Sequence, residues 1–444
     1  MTGPARPWRV LSVVALLLVS TAPPAGAVGP PPVDEKLLPA AGPAAPAHPT
    51  VQYDECVTAP TSPVGAPSPR RGIDLASVWA LTRGAGQTVA VIDTGVARHR
   101  RLPHLVAGGD YVSDRDGTTD CDGHGTIVAG IIGATADSAD PDGFSGIAPD
   151  VSLLAIRQSS NRFRAVDDPG GTGVGDVETL AAAVRTAADL GATVLNISTV
   201  ACLPVDAGID DRALGAALAY AVDVKNVVVV TAAGNVGGPG QCTRHNPRGP
   251  ADAGAVTMVA SPAWYDDYVL TVGSVGSDGI ASEFSLAGPW VDVAAPGESV
   301  VSLAPAGDGL VDVTGSGLPI SGTSYAVPVV SAIAALVRSR SPHLTARQVM
   351  RVIEDTTHAP AAGWDPVVGH GVVDALAAVT ATGASTPAPP TVVQVGPVPS
   401  RTAENGSRRT ALHAALACLA LTAGVAVVSV AVRRSARPGS VPQD

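Results

Sequence analysis

Five short aliphatic and β-branched runs punctuate the middle of the chain: Thr88–Ile92, Val151–Ile156, Thr193–Ile197, Val227–Thr231 and Val269–Val275. None alternates apolar with polar residues, as a strand with one wet face would. A nearly continuous apolar run of this length suits a parallel strand buried on both faces. Parallel neighbours need long crossovers, usually helical. Ala/Leu/Val-rich segments of helical length lie between the runs, at Thr126–Ala134, Val177–Leu190, Arg212–Val222 and Tyr325–Arg340. This alternation predicts an α/β domain with a parallel sheet flanked by helices. Aromatic residues are only 3% of the chain, so its core must be built from Ala, Val, Ile and Leu. In such sheets a site forms outside the carboxyl ends of the strands.

The two ends read differently. Residues 1–27 have the form of a secretory signal. Arg6 and Arg9 precede the short apolar run Val10–Val19, and Ala25-Gly26-Ala27 is a small-x-small cleavage site. The alternative is an uncleaved N-terminal anchor. Ala411–Val432 is 22 residues without a formal charge. As a helix it would reach about 33 Å, enough for a hydrocarbon core of about 30 Å. Arg433, Arg434 and Arg437 follow at once, and Arg408 and Arg409 stand on the other side, so charge bias orients the helix only weakly. The N-terminal signal sets the entry outside, and the basic tail is expected to stop inside. Between the ends, residues 28–72 form a Pro-rich extension, 73–382 the α/β domain and 383–410 a Pro-rich stalk. The expected product is anchored once in the cell membrane, with residues 433–444 as a cytoplasmic tail.

Without the five arginines and one aspartate of the two ends, residues 28–410 keep 23 basic and 38 acidic side chains, a net of −15. Such a surface excludes a nucleic-acid partner, which needs a basic face. Four of the five cysteines, Cys56, Cys121, Cys202 and Cys242, fall in the exported part, where disulfides persist. Cys418 lies in the membrane segment. Asp110, Asp114, Asp116, Asp120 and Asp122 crowd one loop. They match no calcium-loop spacing, so a solvated acidic loop is the expectation, with calcium the alternative and no cofactor assigned.

Four strings carry chemistry. Val91-Ile92-Asp93-Thr94-Gly95 sets a carboxylate at a strand's carboxyl end. Gly123-His124-Gly125-Thr126 opens an apolar helix with a histidine between glycines, which lets a peptide backbone approach the imidazole. Ala232-Ala233-Gly234-Asn235 follows an apolar strand with an amide able to donate to a developing oxyanion. Gly322-Thr323-Ser324-Tyr325-Ala326-Val327-Pro328 places a serine at a helix start, where N–H groups and positive potential face its oxygen. Pro328 is expected in that helix's first turn. Taken singly, each string is as common in turns and caps.

Together, in this order, they resemble the subtilisin-like serine proteases over residues 73–380. The resemblance implies Asp93 as the orienting acid, His124 as general base and acid, and Ser324 as the nucleophile. It also implies Asn235 and the Ser324 N–H as an oxyanion hole. Signal, extension, catalytic domain, stalk, membrane helix and basic tail look like the mycosins, anchored proteases of actinobacterial type VII secretion systems. The implied partners are a protein or peptide substrate, the membrane and a secretion membrane complex. The other reading is a structural subunit of that complex, with proteolysis secondary.

Two features depart from many subtilisin-like proteases. Ser198-Thr199-Val200 stands where Ser-Leu-Gly is usual. This strand would flank the substrate, and Val200 should narrow the S1 wall. The extension is also too short for a folded inhibitory propeptide and is expected to stay in the mature structure. Four cysteines allow three connectivities. Cys56 lies in a segment that cannot hold itself by burial, and Cys121 precedes His124 at the cleft rim. Cys202 and Cys242 follow strands that emerge at the same sheet edge. The pairs Cys56–Cys121 and Cys202–Cys242 are favoured, each worth roughly 3–5 kcal/mol by loop closure.

Overall fold

The five apolar runs all become strands of one parallel sheet, each within a residue or two of its expected ends. The computed structural model describes residues 28–58, 73–137, 143–238, 241–249 and 255–381. The signal, the stalk, the membrane segment with Cys418, and the tail lie outside the described residues. Among the described residues no helix is long and apolar enough to cross a membrane.

In chain order the strands are β1 (Thr50–Gln52), β2 (Thr88–Asp93), β3 (Leu105–Asp110), β4 (Ser152–Arg157), β5 (Phe163–Ala165), β6 (Val194–Ile197), β7 (Ala201–Pro204), β8 (Val228–Ala232), β9 (Met258–Ser261), β10 (Leu270–Val275), β11 (Val293–Pro296), β12 (Ser302–Leu303) and β13 (Leu310–Val311). The main sheet runs β11-β10-β8-β6-β2-β4-β3, and all its pairs are parallel. Residues 89–93 of β2 and all of β6, β8 and β10 are buried, so both faces of the centre are covered. The two strands that the apolar pattern did not mark, β3 and β11, are the sheet's edges. β3 contains Gly108 and Gly109 and is half exposed, while β11 ends at Pro296. Edge strands need less apolar surface and tolerate glycine and proline.

The helix Thr323–Arg340 is buried along most of its length and packs against β6, β8, β10 and β11 as well as the helix His124–Gly133. Helices Val177–Asp189 and Arg212–Ala219 pack on each other. The expected helix end at Val222 is corrected. After Ala219 the backbone winds into a π turn, Tyr220–Val224. Pro328 also moves. It sits in the second turn of its helix, because the helix starts at Thr323.

The extension has no core of its own, as its composition implies. Val28, Val33 and Leu38 pack on the main core. Ala44 lies against Gly109 of the edge strand, where an added Cβ would come within 2.3 Å of the alanine methyl. At φ +122° Gly109 is also in backbone space that other residues avoid. β1 then pairs antiparallel with β5, and Tyr53 Oη donates to the Asn161 and Thr172 carbonyls. The extension thus touches the β3 edge at Ala44 and runs on to pair with β5.

Candidate active site

Asp93 ends β2 fully buried. Its Oδ1 accepts from the Thr94 N–H and lies 2.7 Å from His124 Nδ1. A buried carboxylate beside Nδ1 fixes the proton on that nitrogen and leaves Nε2 as the acceptor. His124 is the first residue of its helix. That helix can approach β2 because Gly125 has no side chain: an added Cβ would fall 2.0 Å from the Gly95 carbonyl oxygen. Burial disfavours charge on the imidazole. Asp93, with help from Asp120 and Asp122, outweighs that and holds the His124 pKa above its ordinary value.

The helix lacks a side-chain cap from Gly123. Asp120 supplies it. Its two oxygens accept from the N–H groups of Asp122, Gly123 and Thr126, from Thr126 Oγ1, and from Thr94 Oγ1. Thr94 Oγ1 in turn accepts from the Gly125 N–H at 3.0 Å. One carboxylate therefore ties the Asp93 turn to the start of the His124 helix. Burial pushes it up to about 6, despite these donors. The sequence reading placed Asp120 only in an acidic cluster. Its signal was a carboxylate four residues before the helix-opening histidine. The cluster itself is dispersed: Asp110 accepts from Val112 and Ser113, Asp116 from Thr118, and Asp122 from Ser160 and Asn161. Among the described residues no three His, Cys, Asp or Glu side chains gather as a metal would require.

Ser324 is the second residue of its helix. Gly322 offers no cap, and the Thr323 N–H donates to Asn235 Oδ1 at 2.9 Å. Thr323 Oγ1 donates to the same oxygen. With Oδ1 held by two donors, the Asn235 amide nitrogen remains to face a ligand. Pro328 has no N–H for the Ser324 carbonyl four residues back, so the helix leaves that oxygen unmet. Ser198 Oγ donates to it at 2.8 Å, and Asn196 Nδ2 donates to Ser198 Oγ at 2.9 Å. Ser331 Oγ completes the chain on Asn196 Oδ1 at 3.0 Å. Ser324 Oγ itself donates to the Ser198 carbonyl at 2.9 Å rather than to His124. Tyr325 tilts over the imidazole, with ring centroids 5.2 Å apart.

Ser198, Thr199 and Val200 line a cleft of about 430 Å³ together with Asn235, Cys202, Cys242 and Ser324. The Ser198 hydroxyl turns away from it, into the relay just described. Thr199 Oγ1 is buried and has no hydrogen-bond partner among the described residues. A second cavity, of about 640 Å³, is lined by His124 and Tyr325 and by Asp54–Thr58 of the extension. The bridges are Cys56–Cys121 and Cys202–Cys242, so one rims each cavity.

Known proteins resemble this chain over most of its length. The model of the subtilase family of peptidases matches residues 84–371. Mycosin-4 of Mycobacterium tuberculosis is 58% identical over 98% of this chain and 98% of its own. The solved MycP3 protease from the type VII (ESX-3) secretion system is 46% identical, covering 79% of this chain and 99% of that one, with a TM-score of 0.72. A chain in the periplasmic assembly of the ESX-5 inner membrane complex is 41% identical, covering 82% and 95%, with a TM-score of 0.74. With a family match over most of the domain and mycosin likeness over nearly the whole length, the chain belongs to the subtilase family of serine peptidases, among the mycosins.

Proposed function

We propose that the chain is a serine endopeptidase of a type VII secretion system, held at the outer side of the cell membrane by residues 411–432. Ser324 is the nucleophile. It turns from the Ser198 carbonyl to His124 Nε2, which takes its proton as Oγ attacks the peptide carbonyl. The oxyanion is held by the Ser324 N–H and the Asn235 amide. His124 then protonates the leaving amine, and water attacks the acyl-enzyme by the reverse path. Thr199 and Val200 flank the acyl side of the substrate. The observation that supports this reading most is the 2.7 Å contact between buried Asp93 and His124 Nδ1, at the sheet edge that also presents Ser324 and Asn235. Ser324→Ala should abolish hydrolysis and labelling by a serine-reactive phosphonate. Undiminished labelling of the variant would overturn the assignment.

A second role has its own support, since a relative 41% identical occurs within an ESX-5 inner membrane complex. The domain then also stabilises such a complex. Secretion that survives Ser324→Ala but not deletion of the chain would separate that role from proteolysis.

A further inference from the structure

Resting on the peptidase reading, we infer that the N-terminal extension builds a leaving-group subsite that selects a basic residue, with Glu55 as its determinant. In the proposed reaction His124 hands its proton to the departing amine. The residues that follow the cut bond must therefore pass over His124, away from the Ser198–Val200 strand. The cavity of about 640 Å³ lies there, and it shares no lining residue with the acyl-side cleft. Its catalytic-domain wall mixes apolar groups, from Ile127, Pro305, Val313, Ile320 and Tyr325, with the hydroxyls of Thr314 and Ser316. Its remaining wall is the extension, fixed by the Cys56–Cys121 bridge and by the Val57 N–H, which donates to the Cys121 carbonyl at 2.8 Å.

The charges on this lining are unequal. Asp54, Glu55 and Asp122 contribute three carboxylates against the single guanidinium of Arg162. Arg162 is already paired with Asp54. Asp122 is held by Ser160 Oγ and the Asn161 N–H, both uncharged donors. Glu55 is exposed, and its carboxylate has no partner among the described residues. Apolar groups in the same cavity as a free carboxylate suit a lysine or arginine, whose stem packs on aliphatic groups while its head stays wet. An acidic side chain in the same place would meet an excess of like charge.

The test uses the full-length chain on a complex peptide library, with cut sites read by mass spectrometry of the new termini. In the wild type, Lys and Arg should exceed Asp and Glu about fivefold at the first two positions after the cut, the scale of an exposed ion pair. Glu55→Gln should flatten that ratio and Glu55→Lys should reverse it. Preferences before the cut should stay as they were. Raising the salt should shrink the ratio in the wild type, because exposed charges are screened. Equal ratios in all three proteins would overturn the subsite while leaving the peptidase reading intact. A library that the wild type leaves no more cut than Ser324→Ala does would instead refute the peptidase reading, and the subsite with it.

Discussion

The two cavities at the catalytic centre are built in opposite ways. The acyl-side cleft is made by the sheet: β6 and β8 end beside it, Ser198 and Thr199 follow directly on β6, and Asn235 comes three residues after β8. Its geometry is inherited from strands that are buried throughout. The cavity over His124 is completed by residues 54–58, from a segment with no core of its own, held by a short two-stranded ribbon, one disulfide, an ion pair, the hydrogen bonds of Tyr53 and Val57, and a few apolar contacts nearer its start. One wall is thus as stable as the domain. The other is expected to open at lower cost, since local unfolding needs far less free energy than global unfolding.

The largest expected effects put this contrast at risk. The two bridges close loops with sequence separations of 65 and 40 residues. Chain-entropy estimates make each worth about 4 kcal/mol. Cys202→Ala with Cys242→Ala should lower the global unfolding free energy by up to that amount in denaturant titration. Cys56→Ala with Cys121→Ala should lower the domain's transition by clearly less, because the extension can detach while the domain stays folded, and should instead expose residues 28–58 to limited proteolysis. If both pairs lower the domain transition equally, the extension is no separate unit. Next in size, Asn235→Ala should lower turnover by about 10²–10³ with little change in substrate binding, a magnitude carried over from a subtilisin, a relative. It also removes the cap on the Ser324 helix, so circular dichroism must show the fold intact before the loss is read as lost oxyanion binding.

Legibility followed the same division. The buried strands announced themselves because both faces must be apolar. Asp93, His124, Asn235 and Ser324 stood in compact strings because each sits at the end of one element. What stayed hidden depends on distant pairing. Nothing local in Ser198 shows that its hydroxyl replaces the N–H missing from Pro328 across 126 residues of chain. Nothing in Asp54 or Glu55 places them beside His124. Edge strand β3 was hidden for a further reason, since a half-exposed edge needs no apolar pattern. Ser198→Ala sharpens this point. It should leave the Ser324 carbonyl and the Asn196 amide unmet, at about 1–3 kcal/mol, and lower thermal stability and turnover together. Unchanged stability would show that the relay does not hold the nucleophile's helix.

The smallest effect concerns the seam between the two walls. Asp120 precedes Cys121, the residue that anchors the extension, and its carboxylate caps the His124 helix while adding to the negative potential at the imidazole. His124 must be neutral to act as a base, so the rate should rise with pH through its pKa, which lies above the ordinary imidazole value. Asp120→Asn keeps an oxygen for some of the cap's donors but removes the charge. A less negative surrounding disfavours the imidazolium, so the acid limb of kcat/KM should move to lower pH. The cap itself should lose about 1 kcal/mol of stability. The two losses separate in measurement. A purely structural role would lower the melting temperature and leave the acid limb in place, whereas a displaced limb with nearly unchanged kcat on the alkaline plateau marks Asp120 as an electrostatic partner of His124. If the limb stays put, Asp120 has no part in setting the imidazole's charge, and the seam is only a mechanical joint.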